Sequence, residues 1–269
     1  MGRRVVALAS QEADCALLAA VEHEGHPELG QDAGRVAGIA AAGVPLTAEW
    51  PASDAPAVVI DFSLPTALSS CLQQCLDARR PLVVATTGLD AGQQETLRRA
   101  AAQIPIVWAP SMSLAVNLCM RVSQQIAAAL RDVNGGVDVE ILERHHRFKA
   151  DAPSGTALRF GELIAQSLAG SGDDAEIQHV HGRQGHTGQR QQNQIGYHAV
   201  RTGDNPGEHT IVFGMLGETV ELKVAASNRD CYAAGALAAA KWLTPDKTPG
   251  LYNMFDVLGF SQSPDAATS

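Results

Sequence analysis

The densest run of reactive side chains lies between Glu143 and Thr156, which reads ERHHRFKADAPSGT. Two adjacent histidines, His145 and His146, are followed by Lys149 and then by Ser154, Gly155 and Thr156 at the head of a helical pattern. Imidazole is the side chain that gives or takes a proton near neutral pH. Lys149 adds a cation, and the N–H groups and hydroxyls of a helix start make an anion site. Such a set suits a substrate that carries carboxylates and a reaction that needs a proton. A solvated loop with a capping serine explains any one of these residues, but not the convergence of titratable groups on a helix start.

Other clusters carry less. Zinc at His145 and His146 is disfavoured, because adjacent residues at a strand end point apart and no further ligand set accompanies them. His179, His181 and His186 lie in a Gly/Gln/Arg-rich stretch that reads as a mobile loop, so no metal site is expected. Cys71 and Cys75 can share a helix face, and without a His or Cys pair nearby they read as buried thiols. Five irregularly spaced cysteines make no disulfide framework. A net charge of -9 argues against a nucleic-acid partner while leaving room for a local basic pocket. The N-terminal apolar run is too short for a signal segment and no stretch approaches a membrane span, so a cytoplasmic chain without membrane contact is expected.

The elements that must position the cluster follow from periodicity. Ala57–Ile60, Leu82–Ala85 and Ile104–Ala109 are short apolar runs of buried-strand type, separated by helical patterns over Ala67–Arg79 and, after the cap Asp90, to Ala102. Ser63 offers a cap for the first of these helices. This rhythm predicts a parallel, doubly wound sheet with ligands at the carboxyl ends of its strands. A helix from Ser113 to about Arg131 follows. Val137, Val139 and Ile141 then alternate with polar residues in a strand that leads into His145. After a helix from Ser154 to Leu168, Ile195–Thr202, His209–Met215 and Thr219–Ala226 read as antiparallel strands turning at Gly203 and Gly217. A helix over Tyr232–Leu243 and a polar tail, Ser261–Ser269, end the chain.

The run from Glu143 to Ala157 resembles the signature of dihydrodipicolinate reductases, E-x-H-H-x-x-K-x-D-A-P-S-G-T-A. Asp61-Phe62-Ser63, Ala85-Thr86-Thr87-Gly88, Ala109–Ser113 with Val116-Asn117, Gly185–Gly188, Arg201-x-Gly203-Asp204, Gly207–Thr210 and the ending Gly250–Leu258 resemble other family motifs. The resemblance implies hydride transfer from NADPH or NADH to a dehydrated, cyclic form of 4-hydroxy-tetrahydrodipicolinate. It implies His145 as general acid–base, Lys149 as its proton-donating partner, and His146, Ser154, Gly155 and Thr156 as holders of the carboxylates. Glu22, His23, Phe62, Ala85, Thr86, Thr87, Ala109, Pro110, Ser111 and Met112 would line the cofactor. The implied fold is α/β: a truncated Rossmann-like parallel sheet (residues 1–117 and 229–269) plus an α+β substrate domain (118–228) with a mostly antiparallel open sheet. A homotetramer associating through that sheet is implied as well.

The N-terminus departs from the family pattern of strand, G-x-x-G-x-x-G turn, helix and second strand. Val5–Ala9 can be read as the first strand, with Ser10–Asp14 in place of the turn. Leu17–Glu22 then resembles the second strand, with Glu22 as the ribose-binding acid. Five residues cannot supply a parallel crossover. Either the first strand is absent or misplaced, or Glu12–Glu22 is helical and the second strand is lost. In both cases the Gly-rich turn is missing, the first crossover helix is expected to be missing with it, and Glu12 and Asp14 bring negative charge toward the pyrophosphate. That reading leaves a second function open, a non-catalytic homologue that binds a dicarboxylate or a partner subunit.

Overall fold

A computed structural model gives the fold and describes residues 1–52, 55–169, 176–243 and 247–260. The expected frayed tail, Ser261–Ser269, lies outside them. The chain forms two compact units, Met1–Leu114 with Arg229–Ser269, and Ala115–Asn228. The first runs α1 (Gly2–Ala9), β1 (Ala20–Val21), α2 (Ala33–Val36), β2 (Leu46–Thr47), β3 (Val59–Asp61), α3 (Leu68–Asp77), β4 (Leu82–Val84), α4 (Ala91–Ala101) and β5 (Pro105–Trp108). From there α5 (Leu114–Leu130) leads to β6 (Asp138–His145), α6 (Gly155–Leu168), β7 (Gln178–His181), β8 (Gln194–Arg201), β9 (Glu208–Met215) and β10 (Glu218–Ala225). The chain then returns through α7 (Asp230–Trp242), β11 (Gly250–Tyr252) and α8 (Met254–Val257).

In the first unit β1 pairs with β2, and β11, β5, β4 and β3 form a sheet in that order, all in parallel. The strands are apolar at successive positions because both faces are covered. Leu82, Val84 and Ile106 pack with Leu68, Leu72, Cys75 and Leu97 on one side. Val83 and Val107 pack with Ala236, Ala239 and Leu243 on the other. Asp90 caps α4 in a reciprocal box with Gln93. The start of α3 differs from expectation: the N–H of Ser63 is taken by Asp61 Oδ1 at 2.8 Å, and the helix opens after a tight turn over Pro65–Ala67.

The N-terminal reading is corrected. Val5–Ala9 belongs to α1, a helix packed on α7, and is not a strand. A run that is apolar at every position cannot reveal its period, so its partner decides its form. Ala7 and Ala9 are buried, Arg4 grips Asp230 at 2.6 and 2.7 Å, and Lys241 of α7 pairs with Glu12 at 2.9 Å and Asp14 at 2.8 Å. The helix expected to be missing is therefore present ahead of β1, and β1 falls inside the Leu17–Glu22 run. Ser10–Asp14 follows a helix instead of replacing a glycine-rich turn, and its acidic charge is met by Lys241.

The second unit carries a five-stranded sheet in the order β10-β9-β6-β8-β7. β10 with β9 and β9 with β6 are antiparallel, whereas β6 with β8 and β8 with β7 are parallel. The expected mostly antiparallel sheet is thus mixed. Alternation shows which face a residue occupies but not which strand lies beside it, and β6 inserts between β8 and β9. The β9–β10 turn does fall at Gly217, with φ +94°. His179 and His181, expected on a mobile loop, sit on β7 and stack against Tyr197. Val139, Ile141, Glu143 and His145 of β6 share the buried face that α6 covers.

Candidate active site

The period of a strand puts Glu143 and His145, two residues apart, on one face. Burying a lone carboxylate there costs several kcal/mol unless it is paired and hydrogen-bonded, on the order of a full ion desolvation. Glu143, 2% exposed, is saturated. It accepts from His145 Nδ1 at 2.6 Å, from Arg201 Nη1 and Nη2 at 2.8 Å each, and from the Ser154 N–H at 3.0 Å. Burial pushes the Glu143 carboxyl up, but Arg201, His145 and the Ser154 N–H outweigh it and hold the group below the usual range. An ionised carboxylate only accepts, so the proton of a neutral His145 is assigned to Nδ1. Burial is also the largest influence on His145, depressing its pKa; Glu143 opposes this, while Lys149 and Arg201 add to it. The imidazole is therefore neutral near pH 7, with Nε2 unprotonated. Beside Nε2 stands Gly207, φ +147°, where a Cβ would come within 2.9 Å of that nitrogen.

Beyond His145 the chain turns into α6. The His145 carbonyl accepts from Thr202 N at 2.9 Å, and Arg147 N donates to the Gly203 carbonyl at 3.0 Å. Lys149 Nζ pairs with Asp151 Oδ1 at 2.7 Å, and its charge acts on both His145 and His209. Ser154 is the N-cap of α6, its Oγ accepting from Ala157 N at 3.1 Å. The space where Gly155 would carry a Cβ is open, and Thr156 lies half-buried in the first turn. Nδ1 of His146 is buried and finds no hydrogen-bond partner among the described residues. A hydrogen-bonded imidazole, an ammonium and a helix N-terminus thus gather on one side of the second unit. Together they can hold a dianion and move a proton.

Sequence reasoning gave no role to Glu143, Arg201 or His209. The first could have been found from its spacing to His145. The other two come from strands flanking β6, and only the register, His145 opposite Arg201 and Glu143 opposite His209, brings them in.

The residues expected to line a cofactor belong to the first unit and follow the carboxyl ends of its strands: Glu22 and His23 after β1, Phe62 after β3, Ala85, Thr86 and Thr87 after β4, and Ala109, Pro110, Ser111 and Met112 after β5. That edge is where doubly wound sheets take dinucleotides. Glu22 is exposed and accepts from the His23 N–H at 3.3 Å. The Thr86 hydroxyl is buried and donates to Asp61 Oδ2 at 2.8 Å, tying the ends of β3 and β4 together, while Thr87 is exposed. Met112 has its side chain in the core. A Cβ on Gly235 would meet the Met112 carbonyl at 1.7 Å, so only glycine lets α7 come this close. An exposed acid after β1 and small or hydroxyl residues after β4 fit a nicotinamide nucleotide. Among the described residues no group of three His, Cys, Asp or Glu could hold a metal ion.

Two family profiles match the chain: "Dihydrodipicolinate reductase, N-terminus" over residues 1–112 and "Dihydrodipicolinate reductase, C-terminus" over residues 115–258. The 4-hydroxy-tetrahydrodipicolinate reductase of Rhodopirellula baltica is 62% identical over 267 residues, covering 98% of this chain and 94% of the relative. That of Pseudoalteromonas atlantica is 44% identical over 265 residues, covering 97% and 96%. The fold resembles that of a dipicolinate-bound dihydrodipicolinate reductase from Paenisporosarcina, with a TM-score of 0.68 at 22% identity over 95% of this chain and 94% of that one.

Proposed function

The chain belongs to the dihydrodipicolinate reductase family and acts as a nicotinamide-dependent reductase of 4-hydroxy-tetrahydrodipicolinate, within which we propose that His145 is the general acid–base and Lys149 its proton-donating partner. The reduced nicotinamide, when bound, supplies the hydride. Glu143 keeps a proton on Nδ1 of His145, so Nε2 is the nitrogen that exchanges a proton at the substrate. Ser154, Gly155 and Thr156 hold the substrate carboxylates at the start of α6, with His146 beside them. The observation that carries this reading is the Glu143 carboxylate, which joins His145, Arg201 and the Ser154 N–H through four hydrogen bonds.

Residues 1–117 and 229–269 form the cofactor-binding domain in this reading, and residues 118–228 bind substrate and associate into a homotetramer through their sheet. The donor is NADPH or NADH. Glu22 meets the ribose hydroxyls, and His23, when protonated, meets a 2′-phosphate. Thr86, Thr87 and Ala109–Met112 lie along the nicotinamide half, and Phe62 and Ala85 also line the cofactor. The enzyme works in the cytoplasm; among the described residues no helix is long and apolar enough to cross a membrane. The reductase relatives, matched over nearly the whole chain, favour the catalytic reading over a non-catalytic homologue.

Steady-state kinetics of His145→Gln and Lys149→Met test the assignment. Each is expected to lower kcat by about a hundredfold or more, the scale of a lost acid–base group, while NADH affinity stays within about threefold. Near-normal kcat in both variants would refute it. Sedimentation of the purified chain is expected to give a tetramer; a monomer would contradict that part.

A further inference from the structure

His209 is a buried imidazole with no part in the proton transfer described above. It stands on β9 opposite Glu143, is 4% exposed, and places Nε2 at 3.1 Å from Ser154 Oγ. Its ring meets that of His145 edge-on at 5.2 Å and lies tilted over Phe160 at 5.9 Å. We propose that His209 is a positioning residue: protonated on Nε2, it donates to Ser154 Oγ and so frees the Ser154 hydroxyl proton for a carboxylate oxygen of the substrate. The proposal rests on the reading of Ser154 as a carboxylate ligand.

The case follows from the capacity of a hydroxyl, one donor and two acceptor sites. One acceptor site of Ser154 Oγ is taken by the Ala157 N–H at 3.1 Å. With the proton of His209 on Nε2, the second acceptor site is filled and the O–H remains for a ligand. With the proton on Nδ1, the serine must donate to Nε2, and it keeps nothing to offer an anion. Burial, reinforced by the charge on His145, depresses His209 to about 4, so the ring is neutral at pH 7 and must be one tautomer or the other. A carboxylate arriving at the start of α6 is recognised by donors, and only the first tautomer provides one at Oγ.

The experiment combines calorimetry with pyridine-2,6-dicarboxylate and spectroscopy on the full chain. Ser154→Ala and His209→Met are each expected to weaken binding of this probe by roughly tenfold to a hundredfold, the range for one hydrogen bond to a charged group. The double variant is expected to be no weaker than either single one. His209→Gln, whose amide can donate near the position of Nε2, is expected to bind within about threefold of the parent chain. Tight binding by His209→Met alongside weak binding by Ser154→Ala would overturn the role of His209 alone. Tight binding by Ser154→Ala would overturn the carboxylate reading on which it rests. Long-range proton–nitrogen NMR correlations of the unaltered chain read the tautomer directly and do not depend on a variant folding. Protonated Nε2 is expected for His209, and protonated Nδ1 would refute the proposal.

Discussion

A buried carboxylate held by four hydrogen bonds is the residue on which the chemistry turns. Glu143 → Gln keeps the shape but replaces an acceptor-only group with one that can also donate, so His145 is no longer confined to the Nδ1–H tautomer. The expected result is a fall in kcat of about a hundredfold with a smaller change in KM, measured by steady-state kinetics. Gly207→Ala tests the space on the other side of the ring. Its Cβ would come within 2.9 Å of His145 Nε2, and φ +147° strains any side chain. Lower activity is expected, together with a loss of roughly 1–3 kcal/mol in denaturant unfolding. Much of this site was legible, because His145, Lys149 and Ser154–Thr156 lie within one short segment whose residue types already name their chemistry. Arg201 and His209 were not, since each enters from a distant strand and carries no local pattern that points to β6.

The regular elements show why some boundaries could be read and others could not. The helix after Asp90 was visible because its cap is local, and Asp90→Ala is expected to cost about 1 kcal/mol in thermal or denaturant unfolding. Val5–Ala9 was misread because uniform apolarity is compatible with strand and helix alike; packing on α7 and the Arg4–Asp230 pair decide it. β8 shows a different gap. Its alternation was clear, yet its direction relative to β6 depends on a strand order that no local pattern encodes. Gly196, opposite Glu140, shows how closely that pairing is fitted, since a Cβ there would meet Glu140 Oε2 at 1.9 Å. Glu140 holds Arg183, Arg190 and His198 on the face of the sheet away from His145. This clamp closes both ends of the 182–193 segment, which composition alone had suggested to be loose.

Over the whole molecule, the buried ionisable groups set how stability responds to acid. His209 is held at about 4 in the folded chain against an ordinary value of about 6.5, so the unfolded chain takes up its proton first as pH falls. Stability from this group is complete above pH 6.5 and is lost progressively toward pH 4, by up to about 3 kcal/mol. Denaturant titrations across that window are expected to show the decline, and His209→Met is expected to flatten it. At lower pH Glu140 follows: burial opposes its ionisation, but Arg183, His198 and Arg190 together bring it down to about 2. Its contribution is present above the ordinary carboxylate range and disappears as pH falls through about 2. The most direct measurement on the intact protein is the oxidation of NADH or NADPH while a dihydrodipicolinate synthase feeds in substrate. The unaltered chain is expected to oxidise the nucleotide only when substrate is supplied, and His145→Ala with Lys149→Ala is expected to stop it. No substrate-dependent oxidation by the unaltered chain at millimolar cofactor would contradict the assignment.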